Sequence, residues 1–297
     1  MTATVRIGTR GSQLALWQAN EVARLLARPF EIITVRTTGD QRTDVSLASI
    51  GGKGVFIKEL EEALVRGEID LAVHSLKDVP SMIPPRFALA AFLERADPRD
   101  AWVQIERIPI DRMRDGAKIG TSAPRRRAQL RARYPKLRIE DIRGNVDTRI
   151  NKLRSGLYDA AILASAGLTR LGRANEITSY FSIDDMIPAA GQGIVVIETL
   201  AEHAGDFARV NHAASALAAR SERGVLEKFG DLLDCYSAVA VHAMIDRDIT
   251  IRAFFGEIDG DRTIRVRQTG NDAAKLVDSV YKALAAAGAE DLLHCRK

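Results

Sequence analysis

The sequence predicts two α/β domains of similar design followed by a smaller α+β module. Three observations carry that expectation. Short apolar, β-branched runs alternate with helical stripes through the first two thirds, as βαβ units require. Two short segments recur: Ile7-Gly8-Thr9 has a counterpart in Ile119-Gly120-Thr121, and Gly67-Glu68-Ile69-Asp70-Leu71-Ala72-Val73 has one in Gly156-Leu157-Tyr158-Asp159-Ala160-Ala161-Ile162. The final third changes pattern, with strands separated by the turn signals Asp246-Arg247-Asp248 and Asp259-Gly260-Asp261.

Taken in order, Val5 to Gly8 reads as a strand, and Ser12 suits the N-cap of a helix running to about Ala27, with Leu14, Trp17 and Leu25 on a common face. Phe30 to Thr37 reads as a second strand. Residues 38–52 are polar and long for a connection. A helix follows from about Val55 to Arg66, its stripe set by Phe56, Leu60, Ala63 and Leu64, and Gly67 ends it. Ile69 to Val73 is a third strand. The chain is expected to cross between domains near Ala96-Asp97-Pro98-Arg99-Asp100 and again around Ile187 to Gly193. A helix spans about Ala213 to Lys228. Strands at Ala238 to Ile245, Thr250 to Phe255 and Thr263 to Gln268 and a helix over Ala273 to Ala287 complete the module, with Cys235 at its entrance.

The bulk numbers exclude several classes. At 297 residues the chain is too long for one ordinary core. No apolar run of transmembrane length or apolar N-terminal signal segment is present, and two cysteines, Cys235 and Cys295, are too few for a disulfide framework. Together these point to the cytoplasm. The net charge is only +4, but residues 121–150 hold nine Lys or Arg against three acids. A local excess larger than that of the whole protein attracts phosphates or carboxylates, unless it is a solvated helix face.

The most informative stretch is Val73-His74-Ser75-Leu76-Lys77-Asp78-Val79-Pro80. An apolar strand ends abruptly in an imidazole, a hydroxyl, an ammonium and a carboxylate, where open α/β sheets place ligands; a polar turn would read the same way. Gly8-Thr9-Arg10-Gly11-Ser12 and Gly120-Thr121-Ser122-Ala123-Pro124-Arg125 each lie between a strand and a helix start, a place that favours anions. Neither has the glycine spacing of a nucleotide loop. Gly51-Gly52-Lys53-Gly54 is either a basic loop that wraps an acidic ligand or an exposed hinge. Cys235, by residue type alone, is a buried hydrophobe, and no Cys/His metal spacing surrounds it, so no metal is expected.

The run Ile7-Gly8-Thr9-Arg10-Gly11-Ser12 through Leu14-Ala15-Leu16-Trp17-Gln18-Ala19 resembles the opening of the hydroxymethylbilane synthase (porphobilinogen deaminase) family. So, in order, do Gly51-Gly52-Lys53-Gly54 with Phe56 and Lys58-Glu59-Leu60-Glu61, the 72–80 stretch, and Gly120-Thr121-Ser122 with Arg125-Arg126. Arg143-Gly144-Asn145-Val146 with Thr148-Arg149, the 164–172 stretch with Arg170, and Gly191-Gln192-Gly193 complete the set over residues 5–235.

The resemblance implies a transferase that joins four porphobilinogen molecules head to tail with release of ammonia. It implies a dipyrromethane cofactor held by a thioether to Cys235, and Asp78 as the catalytic carboxylate. Lys77, Asp78, Thr121, Ser122, Arg125, Arg126, Arg143 and Gly144 match cofactor-binding positions. Arg10, Ser12, Lys53, Ser75, Arg149, Arg170 and Gln192 match substrate-binding ones. A carboxylate beside a pyrrole N–H stabilises the cation left when ammonia departs, and the arginines suit the two carboxylates each pyrrole brings; His74 is set aside as a base. The family fold has two periplasmic-binding-protein-like domains facing a cleft, here 1–95 with 191–212 and 96–190, and a third, 213–297, that carries the cysteine. Family members usually have small residues and a proline around that cysteine, whereas here it sits in Leu233-Asp234-Cys235-Tyr236-Ser237; Ala123 replaces a frequent serine. A monomer without nucleic-acid or membrane partners is implied. The alternatives are a non-catalytic binding protein for a small acid, against which Asp78 and Cys235 argue, and RNA binding, against which the lack of interleaved aromatics argues.

Overall fold

The computed structural model describes residues 4–37, 57–234 and 236–294. In chain order its strands are β1 (Val5–Thr9), β2 (Phe30–Thr34), β3 (Leu71–Ser75), β4 (Phe87–Phe92), β5 (Asp100–Val103), β6 (Lys118–Gly120), β7 (Arg138–Glu140), β8 (Ala160–Ala164), β9 (Ser179–Tyr180), β10 (Val195–Leu200), β11 (Ala238–Ile245), β12 (Ile249–Gly256) and β13 (Thr263–Gly270). Among the described residues the α-helices are α1 (Gln13–Leu26), α2 (Lys58–Val65), α3 (Pro124–Arg133), α4 (Val146–Arg154), α5 (Ser165–Arg170), α6 (Ala213–Glu227), α7 (Ala273–Ala286) and α8 (Ala289–His294). Short 3-10 turns lie between them, one of them Leu76–Asp78. None of these helices is long and apolar enough to cross a membrane.

The chain forms two compact units, Met1–Ala96 with Gly193–Arg220 and Asp97–Gln192 with Ser221–Lys297. The chain passes between them after Ala96, Gln192 and Arg220, and the C-terminal module groups with the second unit.

In the first unit the sheet order is β2-β1-β3-β10-β4. β1 runs parallel to β2 and β3, while β10 runs antiparallel to β3 and β4. Alternation divides the strands between two cores, as pleating dictates. Ile7, Leu71, Val73 and Ile197 pack with Val22 and Leu26 of α1. Ala72 lies with Leu60 and Leu64 of α2. Gly8 packs closely on that second face: a Cβ there would come within 2.3 Å of Ile69 Cδ1 and 3.1 Å of Leu60 Cδ2.

The helix α1 begins as expected, with Ser12 Oγ accepting from Ala15 N at 3.2 Å. Its buried face differs from the expected one. Ala15, Gln18, Ala19, Val22, Ala23 and Leu26 face inward, and Trp17 is 37% exposed. The small residues let the helix approach the sheet closely, so the large ones turn outward. Strand β2 also stops earlier than expected, at Thr34, although Val35 N still donates to Thr9 O at 2.8 Å. The expected connection over 38–52 and the start of the next helix, with Phe56, lie outside the described residues.

The second unit repeats the plan. Its order is β7-β6-β8-β5-β9, with β6 parallel to β7 and β8, and β5 antiparallel to β8 and β9. The recurrence seen in the sequence holds residue by residue. Ile7 and Gly8 oppose Leu71 and Ala72 in one sheet; Ile119 and Gly120 oppose Ala160 and Ala161 in the other. In each unit the antiparallel strand comes directly after a crossing. Two sheets of this plan make the periplasmic-binding-protein-like α/β design that the family resemblance implies.

The C-terminal module is a meander, β11-β12-β13, in full antiparallel register. Helix α7 covers it through Leu276, Val277, Val280 and Leu284. Ala128 of α3 packs from the second α/β sheet against Ala238, Ala240 and Phe254. Covered by helices, the central strand β12 is buried along its whole length.

Candidate active site

Strand β3 brings its polar end out of the core in the first unit. The turn that follows is pinned by two buried side chains, Leu76 and Val79, with Leu76 N donating to Ile194 O at 3.0 Å. That spacing leaves Lys77 and Asp78 exposed. Asp78 makes no hydrogen bond or ion pair among the described residues. Asp78 lines a cavity of about 410 Å³, including its open mouth. Arg10, Ser12, Gln18, His74 and Ser75 share that cavity over an apolar floor that includes Ile57 and Val73. The buried Gln18 holds the Ser75 hydroxyl, its Nε2 donating to Oγ at 2.6 Å.

Behind this surface lies a buried pair. His74 Nε2 is 2.9 Å from Glu198 Oε2, on the neighbouring strand β10. The side chains are 4% and 0% exposed. Glu198 Oε1 is buried without a hydrogen-bond partner among the described residues. Burial, and after it the charge of Glu198, pushes the carboxyl of Glu61 on α2 above its ordinary value.

The second unit places a different constellation at its own strand end. Gly120 again allows close packing, since a Cβ there would come within 2.9 Å of Ile142 Cβ. Ser122 Oγ donates to Ile142 O at 2.7 Å. Arg125 and Arg126, on the first turn of α3, converge on the fully buried Asp100. Arg125 donates to it at 2.6 and 3.0 Å, Arg126 at 3.0 and 2.7 Å. Gln192 completes the cluster, its Nε2 donating to Asp100 at 2.9 Å and to Pro98 O at 2.7 Å, while its Oε1 accepts from Arg125 at 3.0 Å. Burial alone would push the Asp100 carboxyl up; the two guanidinium charges and their hydrogen bonds prevail and hold it well below the usual carboxylate range.

The next connection is built around Gly144, whose φ of +108° is open only to glycine and where a Cβ would meet Thr148 Cγ2 at 2.5 Å. Asn145 caps α4, its Oδ1 accepting from Thr148 N at 2.9 Å. Arg149 Nε donates to Gly144 O at 2.8 Å, tying the turn to the helix. Arg143 and Arg149 flank this turn, and Arg170 ends α5; all three are half-buried.

The sequence-predicted residues thus separate into groups. Arg10, Ser12, Ser75 and Asp78 share one cavity, and Lys77 is exposed beside it. Arg125, Arg126 and Gln192 meet on an internal carboxylate. Thr121 is fully buried. Cys235 and Lys53 lie outside the described residues. Sequence reasoning missed Asp100, Glu198 and Gln18. The two acids had a faint signal: each is a lone carboxylate in an apolar strand, which is costly unless it is paired.

Comparison with known proteins adds an independent line. A family model described as "Porphobilinogen deaminase, dipyromethane cofactor binding domain" matches residues 5–205. The chain is 44% identical to the porphobilinogen deaminase of Trichlorobacter lovleyi over 97% of this chain and 95% of that one. It is 42% identical to that of Geobacter sulfurreducens (97% and 93%) and 43% identical to that of Bordetella parapertussis (97% and 94%). Among solved structures it is similar to the methionine-binding protein MetQ, with a TM-score of 0.42 and 12% identity over 69% of this chain and 87% of that one.

Proposed function

The chain belongs to the porphobilinogen deaminase family, and from that premise we propose that the cavity beside β3 is its reaction site, with Asp78 as the catalytic carboxylate and Cys235 as the cofactor's attachment point. The protein is a hydroxymethylbilane synthase: it joins porphobilinogen units head to tail, releasing ammonia, in tetrapyrrole synthesis, and it works with a dipyrromethane cofactor.

The observation that carries the site assignment is the state of Asp78. It is exposed, without a partner among the described residues, and shares its cavity with Arg10 and Ser12. An acceptor without a donor suits a group that offers pyrrole N–H bonds, and Arg10 and Ser12 add donors suited to its carboxylates. When bound, the dipyrromethane supplies the free pyrrole α-carbon on which the chain is built.

The protein's own side chains do the rest. The Asp78 carboxylate accepts from a pyrrole N–H and stabilises positive charge as ammonia leaves, acting where that charge develops. Arg10, Ser12, Lys53, Ser75, Arg149 and Arg170 bind substrate, the arginines and the lysine against its acetate and propionate groups. Lys77, Thr121, Ser122, Arg143 and Gly144 hold the cofactor. Arg125, Arg126 and Gln192 act through Asp100, fixing the strand-to-helix turn at 121–124. We read three domains, 1–95 with 191–212, 96–190 and 213–297, in a cytoplasmic monomer whose partner is a small molecule and neither nucleic acid nor membrane.

Intact-mass spectrometry of the protein purified from cells able to make porphobilinogen tests this. The expected result is a covalent adduct of dipyrromethane size that vanishes in Cys235→Ala. An adduct retained in that variant would overturn the attachment site.

A further inference from the structure

Two glutamines hold the same place in the two α/β units. Gln18 is the sixth residue of α1 and Gln129 the sixth of α3, and both are buried, at 2% and 1% exposed. An amide withdrawn from water costs free energy unless its donors and its acceptor are bonded. Gln129 is closed at both ends. Its Nε2 donates to Arg125 O and to Ile187 O, each at 3.1 Å. Its Oε1 accepts from Ile187 N at 2.9 Å and from Arg265 Nη2 at 3.1 Å. Three of these four partners are main chain, as suits a glutamine that holds a fold together. Gln18 differs. Its Nε2 donates to a side chain, Ser75 Oγ, at 2.6 Å, and this is the one hydrogen bond of its amide group among the described residues.

Ser75 ends β3 on the face that Leu71 and Val73 turn toward α1. It is half-buried, and it lines the Asp78 cavity together with Arg10 and Ser12. The side-chain nitrogen of glutamine can only donate, so in this bond the Ser75 oxygen accepts. The hydroxyl's own proton is left to donate, and it meets no acceptor among the described residues. A hydroxyl at a cavity wall, held by its oxygen and with no protein acceptor for its proton, suits an acceptor on the ligand.

We propose that Gln18 is a positioning residue for substrate: by donating to Ser75 Oγ it holds that hydroxyl as a donor to a pyrrole carboxylate, a role that rests on the reading of this cavity as the reaction site. The class of acceptor follows from the surroundings. Arg10 and Ser12 bring further donors to the same cavity, and an ionised carboxylate accepts at both oxygens and donates at neither. Without the amide the hydroxyl is free to rotate and to bond main-chain carbonyls of its own strand, as serine readily does. Part of the binding free energy then goes into ordering it. The carboxylates of porphobilinogen take no part in bond making, so the contact is equally strong in bound substrate and transition state. Its loss therefore falls on KM and not on kcat.

A double-mutant cycle in the cofactor-loaded enzyme, read as steady-state rates on porphobilinogen, tests this. Ser75→Ala should raise KM about 10-fold. Gln18→Met, which keeps the side chain's length but not its donors, should raise it about 5-fold, with kcat close to wild type in both. Combined, they should raise KM about 10-fold, no more than Ser75→Ala alone, because Gln18 acts only through the hydroxyl. A combined effect near the product of the two, about 50-fold, overturns the role of Gln18, and so does Gln18→Met with a wild-type KM. If Ser75→Ala itself leaves KM unchanged, the reading of this wall as a substrate contact has failed, and the role of Gln18 falls with it. A second readout needs neither turnover nor a change at Gln18. In ¹H–¹⁵N NMR of the holoenzyme the Gln18 side-chain amide protons should exchange slowly with water, and faster in Ser75→Ala. Protons indifferent to that substitution overturn the assigned bond, and this readout decides the matter should Gln18→Met fail to load cofactor.

Discussion

The two α/β units place a carboxylate at different points of one sheet plan. In the second, Asp100 opens the antiparallel strand and is enclosed by Arg125, Arg126 and Gln192. The corresponding residue of the first unit is Val195, buried and apolar. The first unit has Asp78 exposed beyond its strand end, where the repeat in the second would place Gly167 in α5. At the corresponding strand ends, Asp100 is thus enclosed and serves geometry, while Asp78 is kept outside and unpartnered among the described residues. A duplicated scaffold can carry unlike roles because a strand end tolerates either, provided a buried charge finds its partners.

The comparison can be broken at several points. Asp100→Ala would strand two guanidinium groups in a dry site and should cost about 3–5 kcal/mol, read as a fall in the urea midpoint; a loss under about 1 kcal/mol would mean that the cluster is not structural. Gly120→Ala should cost about 1–3 kcal/mol by forcing Ile142 aside, measured in the same way. Ser12→Ala removes the cap of α1 and should cost about 1 kcal/mol, a shift of a few degrees in thermal midpoint. The smallest effect is one of pH. Because the folded Asp100 carboxyl titrates below its unfolded value, its contribution is complete above about pH 4 and is lost as pH falls through the folded value. The stability gap between wild type and Asp100→Ala should therefore be constant near neutrality and narrow below pH 4; a gap that widens in acid would reverse the assignment.

Much of this plan is legible in the sequence. The repeated segments mark the same register in both sheets, and each inner strand has a glycine at the same place, close against Ile69 and Leu60 in one and Ile142 in the other. The strands of the C-terminal module agree with expectation because hairpin turns announce themselves locally. The inward face of α1 is not legible in the same way, since Leu14 and Trp17 outweigh alanines in any periodic pattern, yet it is Ala15, Ala19 and Ala23 that pack. Asp78 was visible as a polar end to an apolar strand. Asp100 and Glu198 were not, because the residues that satisfy them are 25, 26, 92 and 124 positions away. A lone acid in an apolar run signals a partner without naming it.

Asp78 is thus an outer acid that acts and Asp100 an inner acid that holds. Steady-state bilane formation and thermal midpoint, measured together on Asp78→Asn, test it most directly. The expected result is a midpoint within about 2 °C of wild type, since no hydrogen bond or ion pair among the described residues is lost, a retained cofactor mass, and turnover reduced about 1,000-fold. Near-normal turnover, or a protein that melts many degrees lower, would contradict it.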